Sequence, residues 1–172
     1  MKRKGVELII NSMKDIVKEN KGVILRIVGD GPQKKNLENQ VKKLGLGEQV
    51  IFEGLVPHDE VAKLYQQADI FVSMSRSESW GQMYLEAMAS GLAVVTSRTV
   101  GSESIIEEDF GLLLNQEDVN GLTSAVLDLI NNPKKLAQFK KRAREHAVGV
   151  YDWENSIIPR YIALYDRLIK TK

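Results

Sequence analysis

Residues 70–96 read IFVSMSRSESWGQMYLEAMASGLAVVT, in which two apolar runs flank a polar loop and a short amphipathic segment. The runs at 70–74 and 92–96 are rich in apolar and β-branched residues, which is typical of buried strands. Between them we predict a loop at 75–81 and a helix at 82–90. A strand, a loop, a helix and a second strand in this order predict a parallel βαβ unit.

The same alternation continues on both sides of this unit. Further strands are predicted at 23–28, 50–52 and 111–114. Further helices are predicted at 5–20, 32–44, 59–67, 119–130, 134–148 and 154–169, with a short one that contains Ile105 and Ile106. The pattern indicates an α/β fold, Rossmann-like and doubly wound, with a mainly parallel sheet flanked by helices. Ligands bind such sheets at the carboxyl ends of the strands.

Composition excludes several classes of function. The chain has 172 residues, of which 43% are hydrophobic and 27% charged, and we interpret residues 1–172 as one domain. The net charge of +1 does not favour nucleic acid as a partner. The sequence contains no cysteine, which excludes disulfides and thiolate chemistry and fits a cytoplasmic protein. No apolar run approaches the roughly 20 residues of a membrane span.

The loop at 75–81 carries the residues with the clearest chemical potential. The backbone N–H groups of Gly81, Gln82 and Met83 lie at a helix start, where anions bind readily. Glu78 in the loop and Glu86 inside the helix flank that start, and a carboxylate suits a ribose diol. Two carboxylates on either side of an anion site fit a ligand that has a diphosphate in the middle, a ribose at one end and a group rich in hydroxyls at the other. That describes a nucleotide sugar. The alternative is that both glutamates are solvent-exposed and that Glu78 is a partner of the helix cap.

The run from Glu78 to Val95 resembles the E-x7-E signature of glycosyltransferase group 1 (family 4), approximately E-G-F-G-x-x-x-x-E-A-M-A-x-G-x-P-V-V. Six further segments resemble motifs of that family in the same order, namely Lys4-Gly5-Val6-Glu7-Leu8-Ile9, Val28-Gly29-Asp30-Gly31-Pro32, Val50-Ile51-Phe52-Glu53-Gly54, Ala68-Asp69-Ile70-Phe71-Val72, Gly111-Leu112-Leu113 and Trp153-Glu154. The similarity covers essentially the whole chain.

The resemblance implies one half of a GT-B fold, in which two Rossmann-like domains face each other across a cleft. This chain resembles only the carboxyl-terminal half, which binds the donor. The implied reaction is retaining, metal-independent transfer of a sugar from a UDP-, GDP- or ADP-sugar to a glycan or lipid acceptor, without a cofactor. The amino-terminal half would hold the acceptor, so we expect the isolated domain to bind nucleotide and turn over almost nothing. Polysaccharide biosynthesis in the cytoplasm, with peripheral contact at the inner face of the membrane, is compatible with this family.

The resemblance also assigns roles to individual residues. Glu78 would lie near the reacting carbon of the sugar, and Lys4 would neutralise the leaving diphosphate, so these two are the catalytic candidates. Glu86 would hold the ribose. Backbone groups for the sugar and diphosphate would come from Ser79, Trp80, Gly81, Gln82 and Met83. The base side of the pocket would be shaped by Gly29, Gly31 and Phe52.

No metal site is predicted. Negative charge that develops on a departing diphosphate needs a cation or preorganised donors, and Lys4 with the helix start supplies both. The sequence contains no D-x-D motif. His58 and His146 are isolated in sequence, and we interpret His146 as a residue on a helix surface.

The chain departs from the family pattern in four places. Ser79, Trp80 and Gln82 replace the usual residues, so the donor preference is expected to be unusual. The segment Val100-Gly101-Ser102-Glu103 differs from the family's G-G-x-x-E, and we assign Glu103 no role. The family's sheet has a central strand, followed by an arginine, upstream of the position of Lys4, and the 172 residues contain neither. We therefore expect exposed strand edges or a gap.

The aromatic residues of the last helix are expected to pack against the domain, namely Trp153, Tyr161 and Tyr165.

Three alternatives remain. In a dinucleotide-binding domain, Gly29 and Gly31 would follow a strand and Glu53 would end the next one, although Lys34 replaces the third glycine. NAD binding without UDP or GDP binding would favour that interpretation. The chain could instead be a nucleotide-binding module without catalysis, or a sugar-nucleotide epimerase that shares the GT-B architecture.

Overall fold

Strands and helices alternate along the first two thirds of the chain, and helices alone complete it. The computed structural model describes residues 3–170. The strands are β1 (Leu25–Val28), β2 (Val50–Gly54), β3 (Ile70–Ser73), β4 (Ala93–Ser97) and β5 (Gly111–Leu114). The helices are α1 (Val6–Glu19), α2 (Lys34–Leu44), α3 (His58–Gln66), α4 (Gln82–Ala89), α5 (Val100–Glu103), α6 (Val119–Asn131), α7 (Pro133–Tyr151) and α8 (Ile158–Lys170), with a π-helical turn at Trp153–Ile157 between the last two.

The strands form two parallel sheets. β1 pairs with β2, with Leu25 opposite Val50. β4 lies between β3 and β5, with Val95 opposite Val72 and Leu112. Within residues 3–170, β1 and β3 are not hydrogen-bonded to each other or to another strand on their second side. The prediction of a parallel α/β fold with exposed strand edges is therefore confirmed.

Side chains alternate along β4 between two apolar layers. Val95 packs with buried residues of α1 and α6, whereas Val94 packs with Tyr84, Met88 and Ala143 of α4 and α7. Every residue of β4 is buried. Helices thus cover both faces of this sheet, which is the doubly wound arrangement that the alternation predicted.

Two predicted helix positions are wrong. Pro32 lies in a turn, and α2 begins only at Lys34. The short helix precedes Ile105 and Ile106, because Thr99 and Ser102 form a capping box that starts α5 at Val100. Both isoleucines lie after this helix and are buried in the core.

The last helix does not pack as predicted. Trp153, Tyr161 and Tyr165 are 67%, 54% and 59% exposed, so their interpretation as packing residues is wrong. α8 is amphipathic, but its apolar side faces solvent rather than the domain. No helix of the described residues is long and apolar enough to cross a bilayer.

The start of α1 lies very close to the end of β3. Gly5 has a φ of 62°, and a Cβ atom at this residue would lie 2.0 Å from the carbonyl oxygen of Met74. Just beyond, the amide of Arg76 donates a hydrogen bond of 2.9 Å to the carbonyl oxygen of Arg3. Because only glycine permits this approach, residue 5 determines where Lys4 sits.

Replacing this glycine should destabilise the fold. Gly5→Ala places an alanine in the left-handed backbone conformation and brings its Cβ atom against the carbonyl group of Met74. We therefore expect the free energy of unfolding, measured by urea denaturation, to fall by about 2–4 kcal/mol. Gly149→Ala is the matched control, since Gly149 lies in α7 with open space around it. That variant should gain about 0.5–1 kcal/mol. Equal stability of the two variants would contradict the close approach.

Candidate functional site

The site is built around an ion pair between the chain's start and the loop after β3. The Nζ atom of Lys4 lies 2.7 Å from Oε2 of Glu78. The side chain of Lys4 is 48% exposed and that of Glu78 is 19% exposed, so the pair is accessible from solvent. The two catalytic candidates, 74 positions apart in sequence, are thus in direct contact.

The loop that carries Glu78 is fixed from behind by the segment after β4. The Oγ atom of Ser97 donates to the carbonyl oxygen of Ser75 at 2.6 Å. The amide of Gly101 donates to the carbonyl oxygen of Glu78 at 2.8 Å, and a Cβ atom on Gly101 would lie 2.8 Å from the carbonyl carbon of Trp80. Gly101 is therefore a positioning residue of the loop, in the segment to which the sequence assigned no role.

The helix after the loop begins with an uncapped turn. Gly81 has a φ of 79°, and no side chain hydrogen-bonds the first amides of α4. Tyr84 is fully buried, and its hydroxyl accepts a hydrogen bond of 3.0 Å from Thr96 Oγ1. Because Tyr84 is buried and lies in the first turn of α4, it holds the first amide groups of this helix in place. The partial positive charge of this helix end favours an anion.

Glu86 lies on α4 next to α3. Its Oε1 atom is 3.4 Å from Nε2 of His58, the first residue of α3. Burial, and then the charge of Glu86, raise the pKa of Tyr65 to about 12. His58, which is isolated in sequence, thus has an acidic neighbour in space. Among the described residues no group of three His, Asp or Glu side chains could hold a metal ion.

A second ion-pair cluster supports the loop from the side of α1. The guanidinium of Arg76 contacts Oε1 of Glu7 at 2.9 Å and both carboxylate oxygens of Glu117 at 2.5 and 2.9 Å. The hydrogen bond to Glu117, together with Glu7, raises the pKa of Arg76 above its ordinary value. Gln116 donates to the carbonyl oxygen of Arg76 at 3.2 Å. Sequence reasoning missed this cluster, because no motif links α1, the loop after β3 and the loop after β5.

The predicted base-side residues lie along one cavity. It has a volume of about 1220 Å³, and its wall includes Lys4, Gly29, Gly31, Phe52 and Met83. β2 continues to Gly54, so Phe52 lies inside the strand and packs partly against the core rather than at the strand's end.

The other predicted site residues do not line this cavity, namely Glu78, Ser79, Trp80, Gly81, Gln82 and Glu86. Gly81 is buried, whereas Ser79, Trp80 and Gln82 are exposed. Trp80 is 58% exposed, so its ring is free of the core and open to solvent.

Two further interpretations can be corrected from contacts. Glu53 forms an ion pair of 2.6 Å with Arg26, so its carboxylate is already paired and does not offer the free acid that a dinucleotide-binding domain needs. His146 is not a surface residue, since its ring is half-buried and lies 4.7 Å from the centre of Phe110.

Comparison with known proteins identifies the class. The sequence profile of the family described as glycosyl transferases group 1 matches residues 1–146. The chain therefore belongs to this family, and its α/β fold is that of one half of a GT-B glycosyltransferase.

Individual relatives and solved structures show how far the similarity extends. The chain is 30% identical over 159 residues to the GDP-mannose-dependent alpha-(1-6)-phosphatidylinositol monomannoside mannosyltransferase of Mycolicibacterium smegmatis, covering 88% of this chain and 42% of the relative. It superposes on S. aureus TarM in complex with UDP with a TM-score of 0.85 and 26% identity, covering 96% of this chain and 33% of TarM. It superposes on the C-terminal domain of a group 1 family protein (LpcC) from Francisella tularensis with a TM-score of 0.81 and 27% identity, covering 88% and 81% of the two chains. The chain thus spans less than half the length of the mannosyltransferase and of TarM.

The burial of Tyr65, together with the charge of Glu86, raises the pKa of this phenol and predicts a pH dependence of stability. The folded protein keeps the phenol neutral up to about pH 12, whereas the ordinary pKa is 10.0. Unfolding therefore releases a proton in this window, and stability falls as the pH rises through it. Tyr65→Phe should lose less stability over the same interval, measured by urea denaturation at each pH. Tyr161→Phe, at an exposed tyrosine, serves as the control and should behave as the unmodified protein does.

Proposed function

We propose that this chain is the donor-binding half of a retaining, metal-independent glycosyltransferase, which moves a sugar from a nucleoside diphosphate to a glycan or lipid acceptor. The observation that carries the proposal is the contact of 2.7 Å between Lys4 and Glu78. It joins a cation for the diphosphate to an acid for the sugar, next to the uncapped start of α4.

The positive groups suit the departure of the diphosphate. In the transfer, the bond between the anomeric carbon and the diphosphate oxygen breaks, and the electron pair remains on that oxygen. The ammonium of Lys4 and the amides of Gln82 and Met83 at the start of α4 can stabilise the charge that develops. These groups belong to the chain itself, which supports a reaction that needs no metal ion.

Glu78 is suited to the sugar rather than to the phosphates. Its carboxylate accepts hydrogen bonds from hydroxyl groups, and the Gly101 amide holds the backbone of Glu78 in position. A carboxylate close to the anomeric carbon also stabilises the positive charge of an oxocarbenium-like transition state. Retention of configuration rests on the resemblance to glycosyltransferase group 1 (family 4).

Glu86 is suited to the ribose. Its side chain is 31% exposed and is flanked by His58 and by the neutral phenol of Tyr65. Two carboxylate oxygens can accept from the 2′- and 3′-hydroxyls of a ribose at once. Gly29 and Gly31 line the same cavity as Met83 and have open space where a side chain would be, which leaves room for the base.

Acceptor binding is the part of the reaction that we do not assign to these 172 residues. Because the chain spans 42% of the mannosyltransferase, we place acceptor binding on a further domain and expect little turnover by these 172 residues alone. The name of that relative contains a phosphatidylinositol mannoside, and TarM was solved with UDP and alpha-GlcNAc-glycerol. These names support a glycan or lipid acceptor, and we place the transfer in the cytoplasm, at the inner face of a membrane, as part of the proposal.

Calorimetric titration with UDP, GDP, ADP and NAD tests the donor site directly. We expect one nucleoside diphosphate to bind with saturation and NAD not to bind. Binding of NAD alone, or of none of the four, would overturn the proposal.

Removal of Glu86 should weaken the nucleotide and leave the fold unchanged. For Glu86→Ala we expect the preferred nucleotide to lose about 1–3 kcal/mol of binding free energy, the scale of hydrogen bonds to a charged group. Glu48→Ala is the control, because Glu48 is an exposed acid just before the amino end of β2. If both variants bind as the unmodified chain does, Glu86 is not part of the site.

The ion pair predicts effects of opposite sign for its two members. Lys4→Gln removes the cation and should weaken UDP binding about tenfold or more. Glu78→Gln frees Lys4 from its partner, so UDP should bind equally well or more tightly, while the additional affinity of a UDP-sugar over UDP should fall. Both affinities are measured by calorimetry. Weaker UDP binding by both variants would contradict the division of roles.

A further inference from the structure

The loop between β5 and α6 contains a residue in a backbone conformation that favours glycine. Glu117 has a φ of 64°, and among the described residues it is the one residue other than glycine with a positive φ. A left-handed backbone is costly for a residue with a Cβ atom, and it persists where the surrounding contacts fix it. The contacts made by this loop explain why the conformation is kept.

The carboxylate of Glu117 binds the loop after β3. Both of its oxygens accept from the guanidinium of Arg76, at 2.5 and 2.9 Å. The same guanidinium lies 2.9 Å from Oε1 of Glu7, at the start of α1. Two parallel N–H···O bonds fix the plane of a guanidinium as well as its position. Glu117 therefore determines how Arg76 is oriented between the loop after β5 and α1.

Gln116, the residue before Glu117, connects two further segments. Its side-chain amide nitrogen donates to the carbonyl oxygen of Arg76 at 3.2 Å and to that of Arg98 at 3.0 Å. Arg76 lies shortly after β3, and Arg98 is the first residue after β4. An amide nitrogen carries two hydrogen atoms to donate. One side chain thus ties together the backbones that leave two neighbouring strands.

Both of these segments hold Glu78 and its partner. The amide of Arg76 donates to the carbonyl oxygen of Arg3, the residue before Lys4. In the loop after β4, the amide of Gly101 donates to the carbonyl oxygen of Glu78 at 2.8 Å. Each backbone that Gln116 contacts therefore leads directly to a hydrogen bond at the ion pair of the site.

The charges at this junction alternate. The start of α1 carries Lys4 and Glu7. The loop after β3 carries Arg76 and Glu78, so that two ion pairs of opposite sense join the same two segments. Because the guanidinium of Arg76 is bound by Glu7 and Glu117, the acid of the site is left to Lys4.

We propose that Gln116 and Glu117 are positioning residues of the donor site, which keep the carboxylate of Glu78 in place for the sugar. They act through Arg76 and the loop after β4. The left-handed backbone at Glu117 lets two adjacent side chains reach these segments at once, one with a carboxylate and the other with an amide. The inference rests on the proposed function and adds the residues on which recognition of the sugar depends.

The nucleotide and the sugar depend on different supports. The start of α4, which suits the diphosphate, is held by the buried Tyr84 and its hydrogen bond with Thr96. The loop after β5 takes no part in that contact. The backbone of Glu78, in contrast, is held by the segments that Gln116 and Glu117 bind. A change at residue 116 or 117 should therefore affect the sugar more than the nucleoside diphosphate.

Glu117→Gly separates a role at the site from a role in stability. The variant removes the carboxylate that binds Arg76, but it also relieves the left-handed backbone. The side chain of Glu117 is 54% exposed, and an exposed ion pair adds little to stability. We expect the midpoint of urea denaturation to stay the same or to rise, while recognition of the sugar weakens.

Calorimetric titration with two pairs of probes measures that recognition. The pairs are UDP with UDP-glucose and GDP with GDP-mannose, titrated into the 172-residue chain. For Glu117→Gly and Gln116→Ala we expect the affinity of the nucleoside diphosphate to change less than about threefold. The affinity of the nucleotide sugar relative to the diphosphate should fall by about threefold to tenfold, the range of one or two lost hydrogen bonds.

Amide hydrogen exchange without nucleotide shows whether the loop is held. The amides to follow are those of Arg76 and Gly101, which bind the backbones of Arg3 and Glu78. Both should exchange about tenfold faster in the two variants, whereas amides in the middle of α7 should be unchanged.

Glu145→Ala is the control for both measurements. Glu145 is an exposed acid on α7 that lies 3.8 Å from Lys141, so its removal also breaks an exposed ion pair. This variant should match the unmodified chain in the exchange of both amides and in the affinity of all four probes.

Several results would overturn the proposal. Unchanged exchange of the two amides would show that residues 116 and 117 do not hold the loop. Faster exchange with an unchanged relative affinity would show that the sugar does not depend on this loop. An equal loss of affinity for diphosphate and nucleotide sugar would assign both residues to the fold as a whole. Failure of the donor site is distinct, because then none of the four probes binds the unmodified chain, and the role of both residues at a sugar falls with it.

Discussion

The contact between Gly5 and the carbonyl of Met74 is the constraint on which the site depends. It brings the start of α1 against the end of β3, so that Lys4 reaches Glu78 across 74 positions of sequence. The hydrogen bond from Arg76 to Arg3 and the ion pairs of Arg76 with Glu7 and Glu117 hold the same junction from the side. A residue with a Cβ atom at position 5 would push the cation away from the acid.

The order of strands and helices could be predicted from sequence, whereas the residues that hold the site in position could not. Apolar runs such as 70–74, and the helix start at Gln82, follow from patterns that span few residues, and the structure confirms them within one or two positions. Arg76 and Gly101 act through partners that are distant in sequence, so no local pattern marks them. Their contacts follow from the crossing of three loops at one edge of the sheet.

The errors have a common cause. Pro32, Ile105 and the aromatic residues of α8 were assigned from local sequence patterns, although the outcome depends on contacts beyond each segment. Ile105 is buried without being helical because the capping box of Thr99 and Ser102 starts α5 at Val100, and the helix is over at Glu103. Tyr161 and Tyr165 belong to an amphipathic helix whose apolar side has no counterpart within residues 3–170. Amphipathic patterns show that a helix has an apolar side, but not that the same chain covers it.

The apolar side of α8 is separated from that of α7 by a break in the helix. Asp152 is extended, with a φ of −64° and a ψ of 123°, and a π-helical turn at Trp153–Ile157 then leads into α8. α7 directs Phe139 and Ala143 into the core, whereas α8 directs Tyr161 and Tyr165 to solvent. Because each residue turns a helix by about 100°, one residue inserted or deleted between Asp152 and α8 would change the direction of this stripe without changing its composition.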